Sequence, residues 1–150
     1  MAGSFSRILL HTVFSTKQRT PWITPEVAER LHAYLGGIIR AEHGVPCEIG
    51  GAADHVHLFV RWRPDVAVSD MLRIVKSRSS AWVHDIFPAL AAFAWQSGYA
   101  VSTVSPSQSS AVTKYVAGQA KHHRKEDFSS EFRRLLRAHG IKFDERYVLD

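Results

Sequence analysis

Two strand-like stretches, residues 45–50 and 55–62, stand four residues apart in the middle of the chain. The connection Gly51-Ala52-Ala53-Asp54 has the length and small-residue character of a hairpin-like reversal, so the two stretches pair side by side. On the N-terminal side, residues 7–14 (RILLHTVF) are apolar and β-branched enough for a strand. A helix then opens with Thr24 as N-cap and Pro25 in its first position. Val27, Leu31, Tyr34, Leu35 and Ile38 form its apolar stripe, and Gly44 is a natural stop. On the C-terminal side, Ser69 begins a second helix with Leu72, Val75, Ser79, Trp82 and Val83 on one side, and Pro88 follows its end. Gly98 then turns the chain into a strand over residues 99–104. The order β-α-β-β-α-β predicts an α+β fold: a ferredoxin-like, RRM-like split βαβ antiparallel sheet with helices on one face. Two further helices follow, one capped by Ser107 and running to about His123, the other capped by Ser129 or Ser130 and ending at Gly140.

At 150 residues, with no repeat or linker, the chain reads as a single domain over residues 1–150, large enough to bury a core without staples. Cys47 is the only cysteine, which excludes an internal disulfide and cysteine-cluster zinc sites and fits a reducing compartment. Residues 86–113 carry no Asp, Glu, Lys or Arg, yet Pro88, Gln96, Gly98, Pro106 and a run of serines rule out a spanning helix. The first residues hold too short an apolar run for a signal peptide, so a cytoplasmic protein is expected. Lys and Arg outnumber Asp and Glu by 19 to 14, a balance that suits a polyanionic partner. The surplus sits on the N-terminal strand region, the second helix (Arg73, Lys76, Arg78) and the C-terminal helices, where it is either a solvated face or a phosphate-tracking one.

His55-Val56-His57 lies within a predicted strand, where residues i and i+2 face the same side. Two imidazoles so placed can hold one divalent cation and leave coordination positions open; two packing histidines would look the same. A histidine-triad hydrolase would need a third alternating histidine where Phe59 stands. A two-histidine phosphoesterase would need two H-x-T/S tetrads, and His11-Thr12-Val13 supplies none. No H-E-x-x-H helix of a zinc protease occurs.

A second constellation lies in Val112-Thr-Lys-Tyr115-Val-Ala-Gly-Gln119, whose phenol and amide would emerge side by side from one helix. They are either half-buried packing and a surface amide, or a nucleophile with a neutral oxygen ligand beside it.

Taken together, the two constellations resemble the single-tyrosine HUH transposases of insertion sequences, including relatives associated with repetitive extragenic palindromes. Lys76-Ser-Arg78-Ser-Ser80, Trp95-Gln-Ser-Gly-Tyr99 running into Ser102-Thr-Val-Ser105, and His122-His123 support the likeness, which spans about residues 5–148. The resemblance implies a DNA transposase in which Tyr115 attacks single-stranded DNA at element-end hairpins and forms a 5′-phosphotyrosine. It implies Mg²⁺ or Mn²⁺ held by His55, His57 and Gln119, and a homodimer. The substrate would be hairpin DNA, with neither a membrane nor a small molecule as partner. Arg73, Lys76, Arg78 and Lys121 are the candidate DNA-binding residues. The rival is a non-catalytic or domesticated nucleic-acid-binding module on the same fold; no strand carries the RNP1 pattern, and that role leaves Tyr115 and Gln119 without a task.

Overall fold

A computed structural model describes residues 3–123 and 125–149. Four strands, β1 (Ile8–Ser15), β2 (Val45–Ala52), β3 (His55–Trp62) and β4 (Ala100–Thr103), form one sheet in the order β2-β3-β1-β4. All neighbours are antiparallel, as the split βαβ pattern predicts, and the hairpin register pairs His55 with Ala52 and His57 with Gly50.

Strand alternation gives the sheet two different faces. Leu10 and Phe14 of β1 and Val56, Leu58, Val60 and Trp62 of β3 point to one side. There α1 (Pro25–Ala41) and α2 (Val68–Ile86) cover them with Leu31, Leu35, Ile39, Leu72, Val75 and Val83. Thr24 caps α1 through its side chain, accepting from the Val27 backbone N–H, with Pro25 at the start. The opposite face carries Leu9, His11 and Val13 of β1 with His55, His57 and Phe59 of β3. Three C-terminal helices close it: α3 (Ser109–Ala117), α4 (Gln119–His122) and α5 (Phe128–Ala138). Val116 of α3 packs on Leu9 and Phe59, while Phe128, Phe132 and Leu136 of α5 pack on Val13.

Several boundaries depart from the local signals. The left-handed residue that ends α1 is His43 (φ 65°) rather than Gly44, whose missing side chain instead leaves room for the Trp62 ring. Helix α2 begins at Val68 without a side-chain cap, so Ser69 lies inside it. The helix expected from Ser107 starts as a short 3-10 turn, becomes α3 at Ser109 and breaks at Gly118, where the glycine adopts φ −88° and ψ 11°. Tyr115 and Gln119 therefore belong to two helices rather than one. Asp127, not Ser129 or Ser130, caps α5, because its carboxylate accepts the Ser130 N–H and carries charge at the positive end of the helix.

Candidate active site

The site is built on the sheet face closed by α3, α4 and α5. His55 and His57, two apart on central strand β3, project together as the alternation requires, and both are fully buried. Each ring is fixed by a partner on its outer nitrogen. His55 Nδ1 donates to Asp54 Oδ1 at 2.8 Å, and His57 Nδ1 lies 2.8 Å from His11 Nε2. Both Nε2 atoms consequently face a common centre, the arrangement of imidazoles held for metal ligation. Burial pushes the His57 imidazole down to about 4 and His11 to about 3, so both rings are neutral at pH 7.

Gln119, also fully buried, reaches this centre from α4. Its amide orientation is set by its donors: Nε2 donates to Glu131 at 3.1 Å and to the Tyr115 carbonyl at 3.4 Å. That leaves Oε1 pointing at His55 Nε2, 3.0 Å away. Gln119 Oε1 and His55 Nε2 are both atoms that can ligate a cation. The donor set of His55, His57 and Gln119 fits a divalent ion.

Tyr115 stands on α3 above the same chain's histidine pair, its ring centroid 5.7 Å from that of His57. Its hydroxyl donates to Glu131 Oε2 and accepts from Arg134 at 3.0 Å. Burial, reinforced by the Glu131 carboxylate, pushes the phenol up to about 12, while Arg134 works in the opposite direction. The placement of Tyr115 depends on Gly50 of β2. A side-chain Cβ there would lie 2.0 Å from the Val116 carbonyl oxygen, so only glycine lets α3 approach the sheet this closely.

Sequence reasoning missed the residue at the middle of the cluster. Glu131 of α5 is fully buried, and its Oε1 lies 2.9 Å from His123 Nε2, 3.1 Å from His57 Nε2 and 3.5 Å from His55 Nε2. Burial raises its pKa, but the hydrogen bonds from His123 and His57 outweigh it and hold the carboxyl well below the usual range. The available signal was a glutamate on the apolar stripe of α5 beside Phe128, Phe132 and Leu136. His11 and Asp54 gave no comparable signal, since their roles depend on strand register and the hairpin turn.

The candidate DNA-binding residues fall in different places. Lys121 is on α4 beside His122, on the tyrosine's side of the sheet. Arg73, Lys76 and Arg78 are on α2, across the sheet from Tyr115. Arg73 and Arg78 are exposed and pair loosely with Asp70 and Glu42. The Lys76 ammonium turns inward: it donates to the carbonyls of Gln96 at 3.0 Å and Gly98 at 2.6 Å and sits over the Phe14 and Tyr99 rings. Arg73, Lys76, Ser77, Ser80, Trp95 and Tyr99 line a groove of about 440 Å³ there. Among the described residues, no helix is long and apolar enough to cross a membrane.

The chain is 28% identical over 125 residues to the ISDra2 transposase TnpA of Deinococcus radiodurans, covering 78% of this chain and 87% of that protein. Its fold superposes on the crystal structure of a Deinococcus radiodurans transposase with a TM-score of 0.67, at 24% identity and covering 80% of this chain and 96% of that one. A REP-associated tyrosine transposase bound to a REP hairpin shares the fold at a TM-score of 0.54 and 12% identity, over 77% of this chain and 70% of that one. The model of the family described as "Transposase IS200 like" matches residues 4–119, a span that takes in the histidine pair, Tyr115 and Gln119. On that match over well more than half its length, the chain belongs to the IS200-like transposase family.

Proposed function

We propose that this transposase cleaves and rejoins single-stranded DNA at element-end hairpins through a 5′-phosphotyrosine at Tyr115. The observation that carries the reading is the convergence of the Tyr115 hydroxyl, the His55 and His57 Nε2 atoms and Gln119 Oε1 on one buried centre, bridged by Glu131. A tyrosine beside a cation-binding donor set suits phosphoryl transfer, with the phenol as nucleophile and the ion as Lewis acid.

In the first step, the Tyr115 oxygen attacks the scissile phosphorus in line. The phenolic proton departs, the phosphorus–O3′ bond breaks, and the leaving oxygen takes a proton to become a free 3′-OH. In the second, the 3′-OH of another DNA end attacks the phosphotyrosine, the phosphorus–tyrosine bond breaks and the phenol is restored. One phosphodiester is exchanged for another, so no external energy source is required. A divalent cation, Mg²⁺ or Mn²⁺, held by His55, His57 and Gln119 would supply Lewis-acid stabilisation of charge on the phosphate oxygens. Arg134, 3.0 Å from the phenolic oxygen, favours its ionised form. Arg73, Arg78 and Lys121 hold DNA phosphates in this reading, and two copies of the chain form a cytoplasmic homodimer. A REP hairpin is bound by one structural neighbour, and a hairpin is the substrate proposed here.

The test is to incubate the protein and Mn²⁺ with labelled single-stranded hairpin DNA taken from the flanking genomic sequence, then look for a denaturant-resistant adduct. Wild-type protein should form it. Tyr115→Phe should bind the hairpin and form none, whatever the metal concentration. An adduct on Tyr115→Phe protein would remove Tyr115 as nucleophile. Hairpin binding without any adduct, in wild type and variant alike, would favour the non-catalytic binding module.

A further inference from the structure

Residues 120–149 lie beyond the family match, yet α5 and the turn before it put two more donor atoms into the centre. The Nε2 atoms of His55, His57 and His123 and a carboxylate oxygen of Glu131 all lie within 4.8 Å of one another. From Glu131 Oε1 the three nitrogens are 3.5, 3.1 and 2.9 Å away. Ligands about 2.0–2.2 Å from a shared metal ion, at tetrahedral or octahedral angles, stand roughly 3.0–3.5 Å apart. The spacing around Glu131 Oε1, held by hydrogen bonds in this structure, is one that ligands of a single ion can also adopt.

Charge points the same way. Glu131 is fully buried, and among the described residues all its ion-pair partners are histidines. Arg134, on the same helix, is spent on Glu126 and the Tyr115 hydroxyl. Burying an ionised carboxylate is costly unless positive charge accompanies it. The His55 and His57 rings are turned Nε2-inward by Asp54 and His11, so both present that nitrogen to the centre.

We infer that Glu131 and His123 are ligands of the same metal ion as His55 and His57, so that the C-terminal segment completes the metal centre. This rests on the metal role given above to the histidine pair. Three imidazoles and a carboxylate suit Mn²⁺, Co²⁺ or Zn²⁺ better than Mg²⁺, which prefers an all-oxygen shell. Such a centre binds its ion without DNA, because the protein supplies the anionic ligand that a scissile phosphate would otherwise bring. Glu131 Oε2 remains bonded to Tyr115, so one carboxylate ties the ion to the nucleophile.

The experiment uses the full chain, stripped with a chelator and titrated with Mn²⁺ in the absence of DNA, free Mn²⁺ being followed by its electron paramagnetic resonance signal. Glu131→Gln keeps the shape and removes the charge; it and His123→Ala should each weaken Mn²⁺ binding at least tenfold, as should His57→Ala. Pulsed resonance on the wild-type complex should count three imidazole nitrogens bound to the ion, a readout independent of whether any variant folds. Loss of binding in His57→Ala, with unchanged affinity in Glu131→Gln and His123→Ala, would overturn this inference and leave the proposed function standing. A count of two nitrogens would also overturn it. Unchanged affinity in all three variants would overturn the metal role of the histidine pair itself.

Discussion

Gly50→Ala should displace Tyr115, the proposed nucleophile, without touching any polar atom of the site. The added Cβ would stand 2.0 Å from the Val116 carbonyl oxygen and 2.9 Å from the carbonyl carbon. A carbon–oxygen contact needs roughly 3.3 Å, so α3 must retreat from β2 by about 1.3 Å. Both clashing atoms are backbone, which no side-chain rotation relieves. Val116 is fully buried against Leu9 and Phe59, and Tyr115 immediately precedes it, so the phenol moves with the helix. Overpacking of this kind costs about 1–3 kcal/mol of stability, and a displacement near 1 Å at a reacting atom costs on the order of a hundredfold in rate. The assay is the rate of covalent adduct formation on hairpin DNA, run beside a thermal melt. We expect adduct formation to fall about a hundredfold while the protein remains folded at the assay temperature. The control is Gly37→Ala, exposed in the middle of α1 with open space where its Cβ would go; it should raise stability by about 0.5–1 kcal/mol and leave the rate alone. Gly50→Ala protein with a wild-type adduct rate would refute the claim that close α3–β2 approach positions Tyr115.

Neutralising Arg73 and Arg78 together should flatten the plot of log affinity for single-stranded DNA against log salt by about 1.4 units, two phosphate contacts' worth; an unchanged slope would show that α2 does not meet DNA. Lys76→Ala should act on the fold instead, lowering stability by about 1.5–3 kcal/mol, because its ammonium holds the carbonyls of Gln96 and Gly98. Asp127→Ala should cost about 1 kcal/mol through loss of the α5 cap. The backbone N–H of Ser130 holds the Asp127 carboxyl below its ordinary value of 3.8, so this contribution is present above that pH and disappears as pH falls through the lowered value; acid titration of the two proteins should show their stabilities converging below about pH 4. Mixed dimers carrying His57→Ala in one subunit and Tyr115→Phe in the other should be inactive, since Tyr115 stands over its own chain's histidines. Half of the wild-type adduct yield from such dimers would show that the tyrosine serves the partner instead.

Much of this arrangement was legible from local pattern. The order of strands and helices followed from periodicity and turn residues, and the common direction of His55 and His57 followed from strand alternation alone. Tyr115 and Gln119 were recognisable as a pair, although the intervening Gly118 breaks the helix and their proximity survives through the Gln119 amide reaching back to the Tyr115 carbonyl. Asp127 was obscured by two serines that are equally good caps by composition; the choice between them depends on which side chain meets a free N–H, and Asp127 meets that of Ser130.

What the sequence concealed is set by register and tertiary closure. His11 reaches His57 because β1 pairs beside β3, and Glu131 reaches the same ring across 74 positions of chain. No local periodicity encodes such distances. One physical division nevertheless orders both findings. The sheet face under α1 and α2 is apolar and supplies the large core, whereas the face under α3, α4 and α5 mixes Leu9, Val13 and Phe59 with His11, His55 and His57. Side chains alternate along a strand, so a slip of one residue in β3 would send both histidines into the apolar core and Val56 and Leu58 into the site. The large core therefore holds the register on which the site depends. The helices on the other face have less apolar surface to bury, and polar bonds from Glu131 and Gln119 join Phe128, Phe132 and Val116 in keeping them there. A charged residue on the apolar stripe of a short helix costs nothing while the helix is in water, is costly once buried against an apolar surface, and is tolerated where the opposing sheet face is itself polar, which is why Glu131 acquires meaning once both faces of the sheet are known.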